Sequence, residues 1–159
     1  MSQKKHLKFD PALWVEKPYP GDSHGAFLLA SNQLEMVLLK SSAHHELNAE
    51  VWFSSATAGP PEHVHGGCQA AVLDEVMGST GWYHGYGVVA AKIEVEFLEM
   101  IPVLKQYSMR GRITNIDKRK IYVEAELFDK EKTYAKSTGL FIVLTNEQIG
   151  SLGIKKKEA

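Results

Sequence analysis

The chain has one cysteine, no apolar run approaching a membrane span and almost no net charge, and each shortage excludes a class of function. Cys68 alone cannot close an internal disulfide, which fits a reducing compartment and makes the cytoplasm the expected location. Nothing nears the roughly 18 consecutive apolar residues of a transmembrane helix. The first twenty residues, MSQKKHLKFDPALWVEKPYP, lack the unbroken apolar centre of a secretory signal, so no membrane partner is expected. Eighteen Lys and Arg against nineteen Asp and Glu give a net charge of -1. That balance leaves no global field to attract nucleic acid, and an anionic ligand would have to be held locally. No internal repeat or low-complexity tract is visible.

What remains is 159 residues, 44% hydrophobic, read as a single domain over 1–159. Residues 1–25 mix Lys, Pro and Gly with Phe9, Leu13 and Trp14 and read as an arm packed against a core, ended by a loop at Gly21 and Gly25. Residues 146–159 read as a mobile tail whose final KKKEA is solvated.

The chain is organised around Gly59–Thr80, GPPEHVHGGCQAAVLDEVMGST. Pro60 and Pro61 stiffen the approach, and Gly66 and Gly67 permit positive φ or a close approach to a ligand. From Cys68 to Thr80 only Asp74 and Glu75 carry charge, while Ala70, Ala71, Val72, Leu73, Val76 and Met77 cover nearly every direction around a helix. Such a helix belongs inside a fold. Its first N–H groups, at the glycine pair, have no carbonyl partner and could hold an oxyanion or a thioester carbonyl. Asp74, in the middle of an apolar helix, is a carboxylate whose burial calls for a reason.

Around this helix the pattern is that of strands. QLEMVLLK and ELNAEVWF, separated by SSAHH, read as a hairpin. GWYHGYG ends the helix. Ala91, Ile93, Val95 and Phe97 then alternate with Lys92, Glu94 and Glu96, and Ile121, Val123, Ala125 and Leu127 with Tyr122, Glu124 and Glu126, giving each strand one dry and one wet face. Residues 107–116 and 133–144 add two more strands, joined through turns at NIDKRK and DKEK. One apolar helix and several half-dry antiparallel strands predict an α+β fold in which the sheet curls around the helix.

HGGCQAAVLDE, AKIEVEFLEMIPV and AKSTGLFIVL, in this order, resemble the hotdog-fold acyl-CoA thioesterases of the phenylacetate-degradation and thioesterase-superfamily-member type over about residues 50–145. The resemblance implies a hotdog fold and hydrolysis of an acyl-CoA to free acid and CoA, with no metal and no cofactor beyond the CoA of the substrate. It implies Asp74 as general base or nucleophile, Gly66 and Gly67 as oxyanion donors with Gly66 foremost, and His65 as the residue that positions the turn or the carbonyl. Glu75 is the rival carboxylate, since a related hotdog group uses Glu, but it lies about 100° further round the helix, so the two are not expected to face the same pocket equally, and Glu75 is placed among the substrate-binding residues with Ala90 and Ala91. The matching strand position, where relatives carry Thr or Ser, is Ala90 with Ala91 beside it, so a supporting hydroxyl is missing. That absence keeps a non-catalytic acyl-CoA or fatty-acid sensor or scaffold in play.

Arg110, Arg112 and Lys118 are candidates to meet the CoA phosphates, against the simpler reading of solvated cations. Cys68 as a nucleophile, and His63 and His65 joined by His44 and His45 as metal ligands, are weaker readings, because no motif supports the thiol and a zinc site needs three or four convergent ligands. Gly66 and Asp74 are eight residues apart, roughly 12 Å along one helix. A base must reach its proton within about 3 Å per hydrogen bond. A homodimer with sites shared between chains, as in the family's dimers, is therefore expected, with a dimer of dimers open.

Overall fold

The structure, a computed structural model, describes residues 4–19 and 27–154. The loop expected at Gly21 and Gly25 and the lysines of KKKEA lie outside these residues. Seven strands form one antiparallel sheet: β1 (Trp14–Val15), β2 (Leu34–Lys40), β3 (Glu46–Phe53), β4 (Val88–Phe97), β5 (Gln106–Asp117), β6 (Lys120–Phe128) and β7 (Thr133–Val143). Their order across the sheet is β1-β2-β3-β5-β6-β7-β4. Helix α1 (Gly66–Tyr83) packs on one face against β3 to β7, the helix-in-sheet arrangement expected from the pattern.

The alternation builds this packing. Leu47, Ala49, Val51 and Phe53 of β3 and Ile121, Val123, Ala125 and Leu127 of β6 point inward and join Val72, Leu73, Val76 and Met77 of α1 in one core. Their burial supplies most of the driving force for folding. The helix comes so close to β5 that a Cβ at Gly111 would collide with Thr80 Oγ1 and stand 3.1 Å from the Val76 carbonyl oxygen. Thr80 cannot move aside freely, because its hydroxyl donates to that same carbonyl at 2.6 Å.

The described part of the arm has a single 3-10 turn at Pro11–Leu13 and lies on the outer side of β2, where Leu7 buries Val37 and Leu39, with Phe9 and Trp52 alongside, while Leu13 and Trp14 stay exposed. Two expectations are corrected. The tail begins as a helix, α2 (Asn146–Ser151), because the Thr145 side chain accepts from Gln148 N while the Gln148 side chain accepts from Thr145 N. Such a capping box satisfies two otherwise orphaned donors. Arg119 then fastens α2 to the β5–β6 turn, donating to Gln148 Oε1 at 3.2 Å and to the Val143 carbonyl at 3.0 Å.

The second correction concerns β4. It is the sheet edge, paired only with β7, and its apolar row is not dry within the chain: Phe97 is 54% exposed, followed by Leu98 and Met100 at 48% and 57%. A bulge between Ala90 and Lys92 leaves Ala91 out of the pairing with β7, so Ala90 and Ile93 both keep the inward register.

Candidate active site

The turn before α1 is held from both sides. Val64 N donates to the Ile101 carbonyl at 2.8 Å and His65 N to the Thr57 carbonyl at 2.8 Å, and the reversal itself is made by Glu62 at φ 62°. Gly66 and Gly67 do not take positive φ, which leaves close approach as the use of the pair. They are the first helical residues, and His65 is the N-cap. His65 Nδ1 accepts from Gly67 N at 2.8 Å, so its proton sits on Nε2. Cys68 N and Gln69 N both donate to the His65 carbonyl, at 3.0 and 3.1 Å. One donor is left over. Among the described residues Gly66 N–H has no acceptor, while Gly67 N–H is spent on the cap and is removed from the expected pair of oxyanion donors. A cleft of about 310 Å³ opens there, lined by Gly66, Gln69, His63, Phe97, Leu98 and Met100. Gly59 makes room for the cap, since a Cβ there would lie 2.9 Å from the His65 ring.

Two turns further along the helix lies a second, smaller cleft of about 150 Å³, bounded by Asp74, Glu75, Tyr19, Trp82, Ala90 and Phe141. Burial raises the Asp74 carboxyl above its ordinary range, and among the described residues nothing hydrogen-bonds it. Burial also raises Glu75, opposed by the Tyr19 hydroxyl, which donates to Glu75 Oε1 at 2.8 Å, and reinforced by the neighbouring Asp74 charge. Both carboxyls line one cleft, closed by β4 on one side and the arm on the other, with Glu75 tied to Tyr19 and Asp74 unbonded among the described residues. Tyr19 was not foreseen. It stands 56 residues before Glu75, and no local spacing signals a contact over that distance.

Ala90 reaches this cleft and brings no hydroxyl to Asp74; Ala91, bulged out, is not part of its lining. Arg110 and Arg112 are on the outer face of β5, paired with Glu126 and Glu124 of β6, and are not brought to either cleft. Opposed registers put them there: Arg110 faces Glu126 and Arg112 faces Glu124 across the ladder. Lys118 makes the β5–β6 turn at φ 55°. Burial pushes the Cys68 thiol up to about 11, so it is not a thiolate near neutrality. His44 and His45 stack at 3.8 Å beside His84, at the opposite end of α1 from His65, about 27 Å away by helix rise. They are not brought to His63, whose Nδ1 lies 2.8 Å from the Pro61 carbonyl oxygen.

Comparison with known proteins bears on the family and the fold. Residues 62–136 match the family described as Thioesterase superfamily. The human acyl-coenzyme A thioesterase THEM5 is 34% identical over 92 residues, which is 57% of this chain and 37% of that protein, so the chain matches well under half the length of this relative. The PaaI protein of the Escherichia coli phenylacetic acid degradation operon superposes with a TM-score of 0.62 at 13% identity, covering 70% of this chain and 80% of PaaI. A hypothetical thioesterase protein of Streptococcus pneumoniae, solved with coenzyme A, gives a TM-score of 0.63 at 12% identity over 70% of this chain and 89% of its own. At these identities the two structures establish the hotdog fold.

Proposed function

Starting from a hotdog fold whose residues 62–136 carry the thioesterase-superfamily pattern, we propose that this chain hydrolyses acyl-CoA thioesters to the free acid and CoA, without metal or added cofactor. The observation that carries the reading is the pair of unspent groups on α1, the Gly66 N–H and the Asp74 carboxyl, each facing a cleft. In this mechanism water attacks the thioester carbonyl carbon while Asp74 takes its proton. The carbonyl oxygen becomes an oxyanion beside Gly66 N–H, where the helix N-terminus stabilises it. Collapse breaks the C–S bond, and the proton on Asp74 passes to the departing thiolate. His65 keeps Gly66 aimed by capping the turn and touches no reacting atom.

The two groups sit roughly 12 Å apart along α1, too far to act on one carbonyl. The reading therefore includes a homodimer in which the partner's α1 lies alongside, so that Gly66 of one chain meets Asp74 of the other. The uncovered row of β4, with Phe97 beside Gly66, supports an interface there.

Turnover of a panel of acyl-CoAs, with Asp74→Asn expected to lower kcat at least about a hundredfold, tests the chemistry. If Asp74→Asn keeps its activity while Glu75→Gln loses it, Glu75 is the base. Co-expression of an Asp74→Ala chain with a chain disrupted at Gly66, each inactive alone, tests the sharing: random pairing restores about a quarter of wild-type activity under two-fold symmetry. Mixed dimers that form and stay inactive would overturn it. A second reading, an acyl-CoA or fatty-acid sensor, rests on Ala90, which leaves Asp74 without a hydroxyl from β4. Saturable binding of acyl-CoA without turnover decides for that reading.

A further inference from the structure

We infer that Tyr19, on the arm, is the end wall of the acyl pocket and sets the size of acyl group accepted; this rests on the acyl-CoA reading above. The cleft beside Asp74 holds about 150 Å³, less than the roughly 300 Å³ at which drug-sized ligand pockets begin. Its walls differ in origin. Trp82, Ala90 and Phe141 belong to α1, β4 and β7, and the Trp82 indole is fixed by donation to the Val88 carbonyl at 3.0 Å. Tyr19 alone among these walls comes from the N-terminal arm, ahead of residues 62–136.

What holds Tyr19 in place is specific. Its hydroxyl donates to Glu75 Oε1 at 2.8 Å, one residue from Asp74, and the Lys17 ammonium lies 5.5 Å from the centre of its ring. Glu75 thereby acquires a role that does not compete with Asp74: it anchors the wall. A ring pinned at this point stops an acyl chain whose carbonyl lies at Asp74, because the ring cannot swing away without giving up its hydrogen bond to a partly buried carboxylate. Pockets of this kind discriminate on the order of tenfold or more per methylene.

The test compares wild type with Tyr19→Ala, Tyr19→Phe and Glu75→Gln. Two readouts are taken over acyl lengths: kcat/KM for acyl-CoAs, and calorimetric Kd for non-hydrolysable thioether analogues. Tyr19→Ala is expected to raise the long-to-short ratio by about tenfold or more in either readout. Tyr19→Phe keeps the ring and Glu75→Gln keeps an acceptor, so both are expected to change the ratio less. A folded Tyr19→Ala protein with the wild-type ratio overturns the inference and leaves the hydrolytic reading standing. Wild-type binding of the analogues without turnover of acyl-CoAs overturns hydrolysis while the Kd ratio still reports on Tyr19. Binding of no analogue at all overturns both.

Discussion

Strands β4 and β6 have the same pattern in sequence and opposite fates in the structure. Ile93, Val95 and Phe97 alternate with charges just as Ile121, Val123 and Leu127 do. In β6 the apolar row is fully covered, with Ile121 and Leu127 at 0% exposure, whereas in β4 Ile93 and Val95 are only partly covered and Phe97 is open. The difference is position. β6 runs through the middle of the sheet over α1 between β5 and β7, while β4 has one neighbour, β7, and forms an edge of the sheet. Alternation reports which face a strand buries in its working state, and a single chain supplies cover for β6 alone. For β4 the proposed dimer is what would supply the cover.

The sharpest way to break this contrast is to place a charge on each row. Val123→Asp puts an unpaired carboxylate into the core and is expected to cost at least about 4 kcal/mol, leaving little folded protein by circular dichroism. Phe97→Asp is expected to leave the chain folded, with a native-like melt, and to shift sedimentation from dimer to monomer. A Phe97→Asp protein that unfolds, or that stays dimeric, would make β4 no different from β6 or remove it from the interface.

A smaller effect is expected where β5 meets the helix. Gly111→Ala adds one methyl against Thr80 and the Val76 carbonyl, and overpacking of this kind costs about 1–3 kcal/mol, readable as a lower urea midpoint at unchanged slope. Pairing it with Thr80→Ser should not relieve the clash, because the hydroxyl and the backbone carbonyl both remain.

The smallest effect concerns the helix face turned toward β4. Burial raises Asp74 and Glu75, so the folded state holds their protons more tightly than the unfolded chain. The sign is that of a raised acid: the stabilisation is complete below the ordinary carboxyl range and is lost as pH climbs through the raised values. Near neutrality both carboxylates then oppose folding, and solvent in the open cleft screens part of the cost. Asp74→Asn is accordingly expected to raise Tm by about 1–4 °C at neutral pH while abolishing turnover, with the gain shrinking as pH is lowered toward 4. A fall in Tm at neutral pH would mean that Asp74 has a stabilising partner in solution.

Much of the fold was legible because it is written locally. The hairpin of β2 and β3 around SSAHH, the alternation of β4 and β6 and the turn at Asp129, whose Oδ1 accepts from both Glu131 N and Lys132 N, depend on residues within a few positions of each other. Gly66 and Asp74 were legible for the same reason, as a helix start and a charge on an apolar helix. Most of the missed features join distant residues. Arg110 and Arg112 looked free until β6 set Glu126 and Glu124 opposite them. Glu75 had no visible partner until the arm brought Tyr19 into the cleft it shares with Asp74. The 146–151 helix was missed for a different reason, its capping box at Thr145 and Gln148 being visible in the sequence but short of an apolar stripe.

By itself, then, the sequence determined most of the elements, the dry faces of the inner strands and the place of Gly66 and Asp74 on α1, because periodicity, capping and the cost of burying charge act between near neighbours. Only the tertiary structure decided that both carboxyls open on one cleft, and that Tyr19 closes it. Those outcomes depend on which strand becomes an edge and where the arm returns to the helix, and both are fixed by packing the whole chain around one core, not by any local preference.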